Sequence, residues 1–195
     1  LGTAQRNTEE LLRWQAQAIV QALRLQVEQY LSAAVSFDQS VATRLGSGEI
    51  AADDGEALSD LLRYGQASAP QLIGAAFVEP DGTLTGNGGS MGDVMVVRQN
   101  WSHRASIAAL LQASKEHGAE PWFWIDWIDD LKITAISAAM NISHEGKLLG
   151  SVVSLVSIQA LSDFLSKLDA TESFTAFILF GPDNVLAHPS LAGGP

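Results

Sequence analysis

Between His144 and Pro189 the chain alternates turn, strand and helix in an order that few folds accommodate. A turn at His144-Glu145-Gly146-Lys147 leads into the apolar strand Leu148 to Ile158. The amphipathic segment Gln159 to Leu168 follows, with Leu161, Phe164, Leu165 and Leu168 on one helical face. Two short strands, Thr175 to Phe180 and Val185 to His188, then meet across Gly181-Pro182-Asp183-Asn184. Strands joined by tight turns pair antiparallel, because a parallel crossover needs a dozen or more residues.

The same logic extends upstream. The apolar run Leu72 to Val78 meets Pro80-Asp81-Gly82 and continues as Thr83 to Thr85, a hairpin with Asp81-Gly82 as its turn. Lys132 to Ser143 alternates as a strand, with Thr134, Ile136, Ala138 and Met140 on one face. Helices are expected from Glu56 to Tyr64 and from Arg104 to Ser114. Five or six strands with helices between them predict an α+β domain built on an antiparallel sheet.

The first 45 residues read as one helix. Leu11, Leu12, Trp14, Ala18, Ile19, Leu23, Val27, Tyr30, Leu31, Ala34, Val35, Val41 and Leu45 recur at three- and four-residue spacings. Glu9 and Glu10 follow Thr8 in the negative first turn that a helix dipole favours. At 1.5 Å per residue such a helix reaches about 50 Å and outruns the domain it packs on. Part of its apolar stripe therefore needs a second surface, and a homodimer through this helix supplies it. The expected division is a stalk and dimerisation helix over 1–45 and a sensor-sized domain over 46–195.

Charge and composition exclude several classes. With 195 residues, 47% of them apolar, the chain can bury a core. A formal net charge of −11 leaves no cationic footprint for nucleic acid or an anionic membrane surface. There is no Cys, hence no disulfide or thiolate chemistry. No apolar run reaches the roughly 18 residues of a membrane span, so any membrane attachment is expected through segments outside these residues. The start at LGTAQRNTEE and the stop at LAGGP read as a piece of a longer chain. His103, His117, His144 and His188 lack metal-ligand spacing. The glycine-rich stretch Gly86 to Gly92 lacks the Lys and the Ser or Thr of a phosphate-binding loop and is expected to be a surface loop. No cofactor and no catalytic residue is expected.

The segment Pro121 to Leu131 carries the chemistry. Trp122, Phe123, Trp124 and Trp127 interleave with Asp126, Asp129 and Asp130. As a strand, it sets Trp122, Trp124 and Asp126 on one side and Phe123, Ile125 and Trp127 on the other. Indoles seek a partner for their N–H and offer flat faces to cations, so a pocket wall with carboxylates is one reading. An aromatic core with a solvated acidic turn is the other.

On these residues the chain resembles the extracytoplasmic Cache domain, the PAS-like sensor of bacterial chemoreceptors, histidine kinases and cyclases. The resemblance rests on Gly146-Lys147-Leu148-Leu149-Gly150, the strand and helix after it, and Phe177 to Pro189 ending in Ala187-His188-Pro189. It implies a long helix packed on a PAS-like antiparallel sheet, and a periplasmic or extracellular module of an inner-membrane protein that binds a small molecule without chemistry. The ligand's class stays open. The resemblance also implies that Arg98 and Trp101 lie where amino-acid-binding members grip a carboxylate, and that Asp126 or Asp129 takes an amine. Trp124 and Trp127 stand where such members have Tyr. The candidate ligand-binding set is thus Arg98, Trp101, Trp122, Trp124, Asp126, Trp127 and Asp129. The alternative is an interaction or dimerisation domain of a membrane receptor that binds no ligand.

Overall fold

A computed structural model describes residues 2–88, 95–128, 132–169, 178–180 and 184–187. The chain forms two compact units, Leu1–Ala33 and Ala34–Pro195. Helix α1, Gly2–Gly46, supplies all of the described part of the first unit and enters the second. Within the first unit Leu11, Trp14, Val20 and Leu25 are exposed, and Arg24 pairs with Glu28 one turn on at 2.7 Å. Leu11, Trp14 and Leu25 share one face, since at 3.6 residues per turn a step of eleven returns to nearly the same angle and a step of three falls within about 60° of it.

In the second unit the end of α1 is a core element. Ala34, Phe37, Asp38, Val41 and Leu45 are buried at the three- and four-residue spacings seen in the sequence. The helix stops at Gly46, whose carbonyl is bonded to the His144 ring Nδ1 at 2.7 Å. Helix α2, Gly55–Ala67, starts on Asp54, whose carboxylate accepts the Ala57 N–H at 3.0 Å. It buries Leu58 and Leu62, and Gly65 admits the Phe37 ring so closely that a Cβ there would stand 2.7 Å from it.

A six-stranded sheet follows, comprising β1 Leu72–Val78, β2 Thr83–Gly88, β3 Val96–Asn100, β4 Trp122–Ile128, β5 Ile133–His144 and β6 Lys147–Ser157. Its spatial order is β3-β2-β1-β6-β5-β4, and every neighbouring pair is antiparallel. The long crossover through α3, Ala105–Glu116, carries the chain from β3 at one edge to β4 at the other. Helix α4, Ile158–Asp169, and a separate hairpin of β7 Ile178–Phe180 and β8 Asn184–Ala187 close the described chain.

Asp81 and Gly82 form the expected β1–β2 turn, with Gly82 at φ +86° and the Asp81 carboxylate accepting the Thr83 N–H at 2.8 Å. Those hydrogen bonds hold the Asp81 pKa below its usual value. The glycine-rich stretch expected as a loop begins instead as the end of β2. Gly86 lies against β1 so tightly that a Cβ would meet the Ala75 carbonyl and Ala76 at 2.5 Å, so its bare backbone serves close approach.

Candidate functional site

Cross-strand pairing creates an opening on one face of the sheet. Trp122 stands opposite Ala139, Trp124 opposite Ser137 and Asp126 opposite Ala135. On the far side of β5, Ser137 is opposite Leu155 and Ala139 opposite Val153. Partners directly opposite project to the same face, so large side chains on β4 and β6 flank a row of small ones on β5. Where α3 lays Ile107 and Leu110 into the same apolar cluster, Trp122 fills its share of the row and Trp124 leaves room.

The result is a cavity of about 110 Å³ between the sheet and α3. Its walls are chiefly apolar, with Val78, Leu84, Ile107, Leu110, Val153 and Leu155 among them, and Trp101 and Trp124 as aromatic panels. The polar lining residues are Asn87, Ser106, Asp126 and Ser137. The volume is small against the roughly 300–1,000 Å³ of drug-sized ligand sites, which limits an occupant to a small molecule.

Trp101, Trp124 and Asp126, three of the sequence candidates, meet at this cavity. Asp126 is exposed, and its carboxylate accepts the Trp127 N–H at 2.8 Å. The Arg104 guanidinium lies over the Trp101 ring, 3.8 Å from its centroid.

Other candidates stand elsewhere. Trp122 is buried beside the cavity, stacked on His117 at 4.8 Å and on Trp124 at 6.5 Å. Trp127 projects to the opposite side of β4 and is half exposed. Arg98 is absent from the lining, because its backbone turns into the left-handed region at φ +48° beside the β2–β3 register shift. Its guanidinium donates to Glu79 at 2.6 Å and to the Ala52 carbonyl at 3.4 Å. Burial raises the Glu79 pKa, and Arg98 opposes that rise. Asp129 lies outside the described residues. Sequence reasoning missed Ser137, because its place opposite Trp124 is set by the β4–β5 register.

The face of β6 away from the cavity engages α1. Ser154 lies between Val153 and Leu155 in sequence and donates to the Asp38 carboxylate at 3.1 Å. Both residues are fully buried, and Asp38 Oδ1 has no hydrogen-bond partner. Desolvation raises the Asp38 pKa well above 3.8 despite the Ser154 bond.

No family model matches the sequence, and neither does any curated protein. Solved structures do match in fold. The ligand-binding domain of the Campylobacter jejuni chemoreceptor Tlp3, in complex with 4-methylisoleucine, superposes at a TM-score of 0.71 with 13% identity, covering 91% of this chain and 71% of that one. The ligand-binding domain of the Pseudomonas fluorescens chemoreceptor CtaA, with L-serine, gives 0.69 at 17% identity, covering 95% and 77%. That of the Pseudomonas aeruginosa amino-acid chemoreceptor PctC, with GABA, gives 0.65 at 16%, covering 90% and 75%. The chain therefore has the α+β, PAS-like fold of bacterial chemoreceptor sensory domains.

Proposed function

We propose that this chain is the extracytoplasmic sensor module of a membrane signal-transduction protein and binds a small molecule in the cavity between α3 and the sheet. The observation that carries the proposal is that cavity, with its two indoles and one carboxylate, in a fold shared with ligand-binding domains. Trp101, Trp124 and Asp126 touch the ligand, Trp122 backs Trp124, and Arg98 braces β3. The amino acids and GABA of the neighbouring structures each carry an amino group, for which Asp126 is an acceptor. The module signals by binding and performs no chemistry.

Strand β6 links the ligand to the output. Val153 and Leu155 line the cavity while Ser154 holds Asp38 on α1, so a displacement of β6 at the ligand is felt at the helix. The ligand shifts this equilibrium only as far as it binds the two arrangements unequally. Among the described residues no helix is long and apolar enough to cross a membrane, and attachment is proposed through segments beyond these residues.

The test is a thermal-shift screen of amino acids, amines, small carboxylates and purines. At a hundred times Kd a ligand adds about 2.7 kcal/mol, or roughly 5–10 °C for a chain of this size. Leu155→Trp fills the cavity and is expected to abolish the shift while circular dichroism shows a retained fold. Hits that persist in that variant would place binding elsewhere.

The exposed face of Leu11, Trp14 and Leu25 is proposed to pair with the same helix of a second copy. Leu11→Glu with Trp14→Glu is expected to convert a dimer to a monomer in sedimentation velocity. A wild-type chain that sediments as a monomer at high micromolar concentration would remove this part of the proposal.

A further inference from the structure

A second opening, an open groove of about 830 Å³, lies where α1 and the end of α3 approach the end of β5 and the start of β6. We propose that this groove is a second ligand site, for a small carboxylate with an apolar body, and that its occupant acts on the cavity through a stack of rings. The groove stands on its own geometry, while its effect on the cavity rests on the ligand-binding role proposed above.

Charge sets the class of ligand. The chain carries 22 Asp and Glu against 11 Lys and Arg, yet no carboxylate is among the described lining residues of the groove. Lys115 and His117 are among them, and neither side chain has a hydrogen bond or an ion pair among the described residues. Gln39 on α1 adds a side-chain amide that is equally unengaged. Glu116, between Lys115 and His117 in sequence, accepts from Gln112 at 3.3 Å and does not join the lining. Bare carbonyls at a helix C-terminus would repel an anion, but Asn141 covers two of them, its Nδ2 donating to the Ser114 and His117 carbonyls at 2.8 Å each. The Ser151 hydroxyl holds Asn141 in that pose by donating to its Oδ1 at 2.7 Å. An ammonium, an imidazole and an amide therefore converge as donors for a carboxylate. Ala42, Met140, Ile142 and Leu148 supply the wall for its carbon body.

The rings are the independent observation. The exposed His117 imidazole lies flat on buried Trp122, with centroids 4.8 Å apart and planes within 4°. Trp122 in turn stacks on Trp124 at 6.5 Å, and Trp124 is a wall of the cavity. Helix α3 makes a second connection, because the end that Asn141 pins in the groove belongs to the helix that lays Ile107 and Leu110 over the cavity. A carboxylate that draws on His117 and Lys115 thus acts on two parts of the cavity wall. By linkage, a cavity ligand changes the groove's affinity by the same factor.

Benzoate and benzamide, matched in shape and different in charge, read this out by heteronuclear NMR on the isotope-labelled chain. Benzoate is expected to bind at least about tenfold more tightly than benzamide, the range of a charge-assisted hydrogen bond. It is expected to move the backbone amide signals of Thr43, Lys115 and Gly118 and the indole N–H signals of Trp122 and Trp124. Lys115→Glu is expected to weaken benzoate by about tenfold or more. The thermal midpoint of that variant is expected to stay within about 3 °C of wild type, which separates a binding role from a structural one. In His117→Ala, saturating benzoate is expected to move the Lys115 amide but no longer the Trp124 indole. Benzamide binding as tightly as benzoate, or benzoate affinity unchanged in Lys115→Glu, would overturn the site. A Trp124 signal that still moves in His117→Ala would overturn the path through the rings. Leu155→Trp fills the cavity and is expected to leave benzoate affinity unchanged; loss of binding there would place benzoate in the cavity, overturning the groove while upholding the ligand site. No saturable binding of benzoate at millimolar concentration also overturns the groove, and the thermal-shift screen with Leu155→Trp judges the sensor role separately.

Discussion

Gly150→Ala is expected to lower unfolding stability by more than about 3 kcal/mol, the range of overpacking combined with a forbidden backbone conformation. Gly150 lies in β6 at φ +154°, where an L side chain is strained regardless of space. Space is absent as well. An added Cβ would sit on the Val78 carbonyl oxygen and 2.8 Å from the Phe77 ring. Neither neighbour can yield cheaply, because Val78 pairs with Ser151 in the β1–β6 ladder and Phe77 is 1% exposed. Urea unfolding followed by indole fluorescence measures the loss. Gly118→Ala is the control, expected within about 0.5 kcal/mol of wild type, since nothing stands within 4 Å of a Cβ there. A loss below about 1 kcal/mol at Gly150 would mean that β1 and β6 are less tightly joined than the structure shows.

Asp38→Asn is expected to gain stability relative to wild type as pH rises from acid to neutral. The Asp38 pKa in the folded chain is raised above its unfolded value of 3.8, mainly by desolvation. The folded state therefore binds the proton more tightly than the unfolded state. Its contribution is fully present below pH 3.8 and is lost as pH rises toward the folded pKa. Across that window the wild type loses up to about 1.4 kcal/mol per pH unit relative to a side chain that does not titrate. At pH 4 the two proteins are expected to be similar, with the variant slightly weaker because an amide adds an unpaired N–H beside Ser154. At pH 7 the variant is expected to be the more stable. Paired denaturant titrations from pH 4 to 7.5 give the difference curve, and a flat curve would show that Asp38 ionises in the fold at its ordinary pKa. The Asp38 carboxyl joins α1 to the strand behind the cavity, the place of the coupling proposed above. Asp38→Asn is accordingly expected to change the ligand-induced shift as well as the baseline.

The antiparallel α+β architecture could be read from local chemistry. Asp81-Gly82 and Glu145-Gly146 each supply turn residues between apolar runs, and the β5 and β6 alternations separate two faces before any partner is known. The end of α1 at Gly46 and the helix after Asp54 were equally visible, because caps and breakers act within a few residues. The side of β4 that bears Trp122, Trp124 and Asp126 followed from its period of two.

What lies across from those side chains is set by register, and register is a tertiary quantity. Trp124 borders a cavity because Ser137 stands opposite it and Leu155 beyond, whereas Trp122, two residues earlier on the same face, is filled in by Ala139, Val153 and His117. Arg98 had the composition of a carboxylate clamp, yet a positive φ and a register shift in β2–β3 turned it to Glu79. Gly86 looked like loop material until the closeness of β1 gave it a reason to be a strand. Apart from the end of β2 at Gly86, the sequence alone determined which described segments become helices and strands and which face of each is apolar, since those follow from contacts a few residues apart. The tertiary structure alone decided which residues meet at the cavity and that Asp38 is buried against Ser154. Those outcomes depend on side-chain volumes and desolvation between segments distant in the chain, which for Asp38 and Ser154 are 116 residues apart.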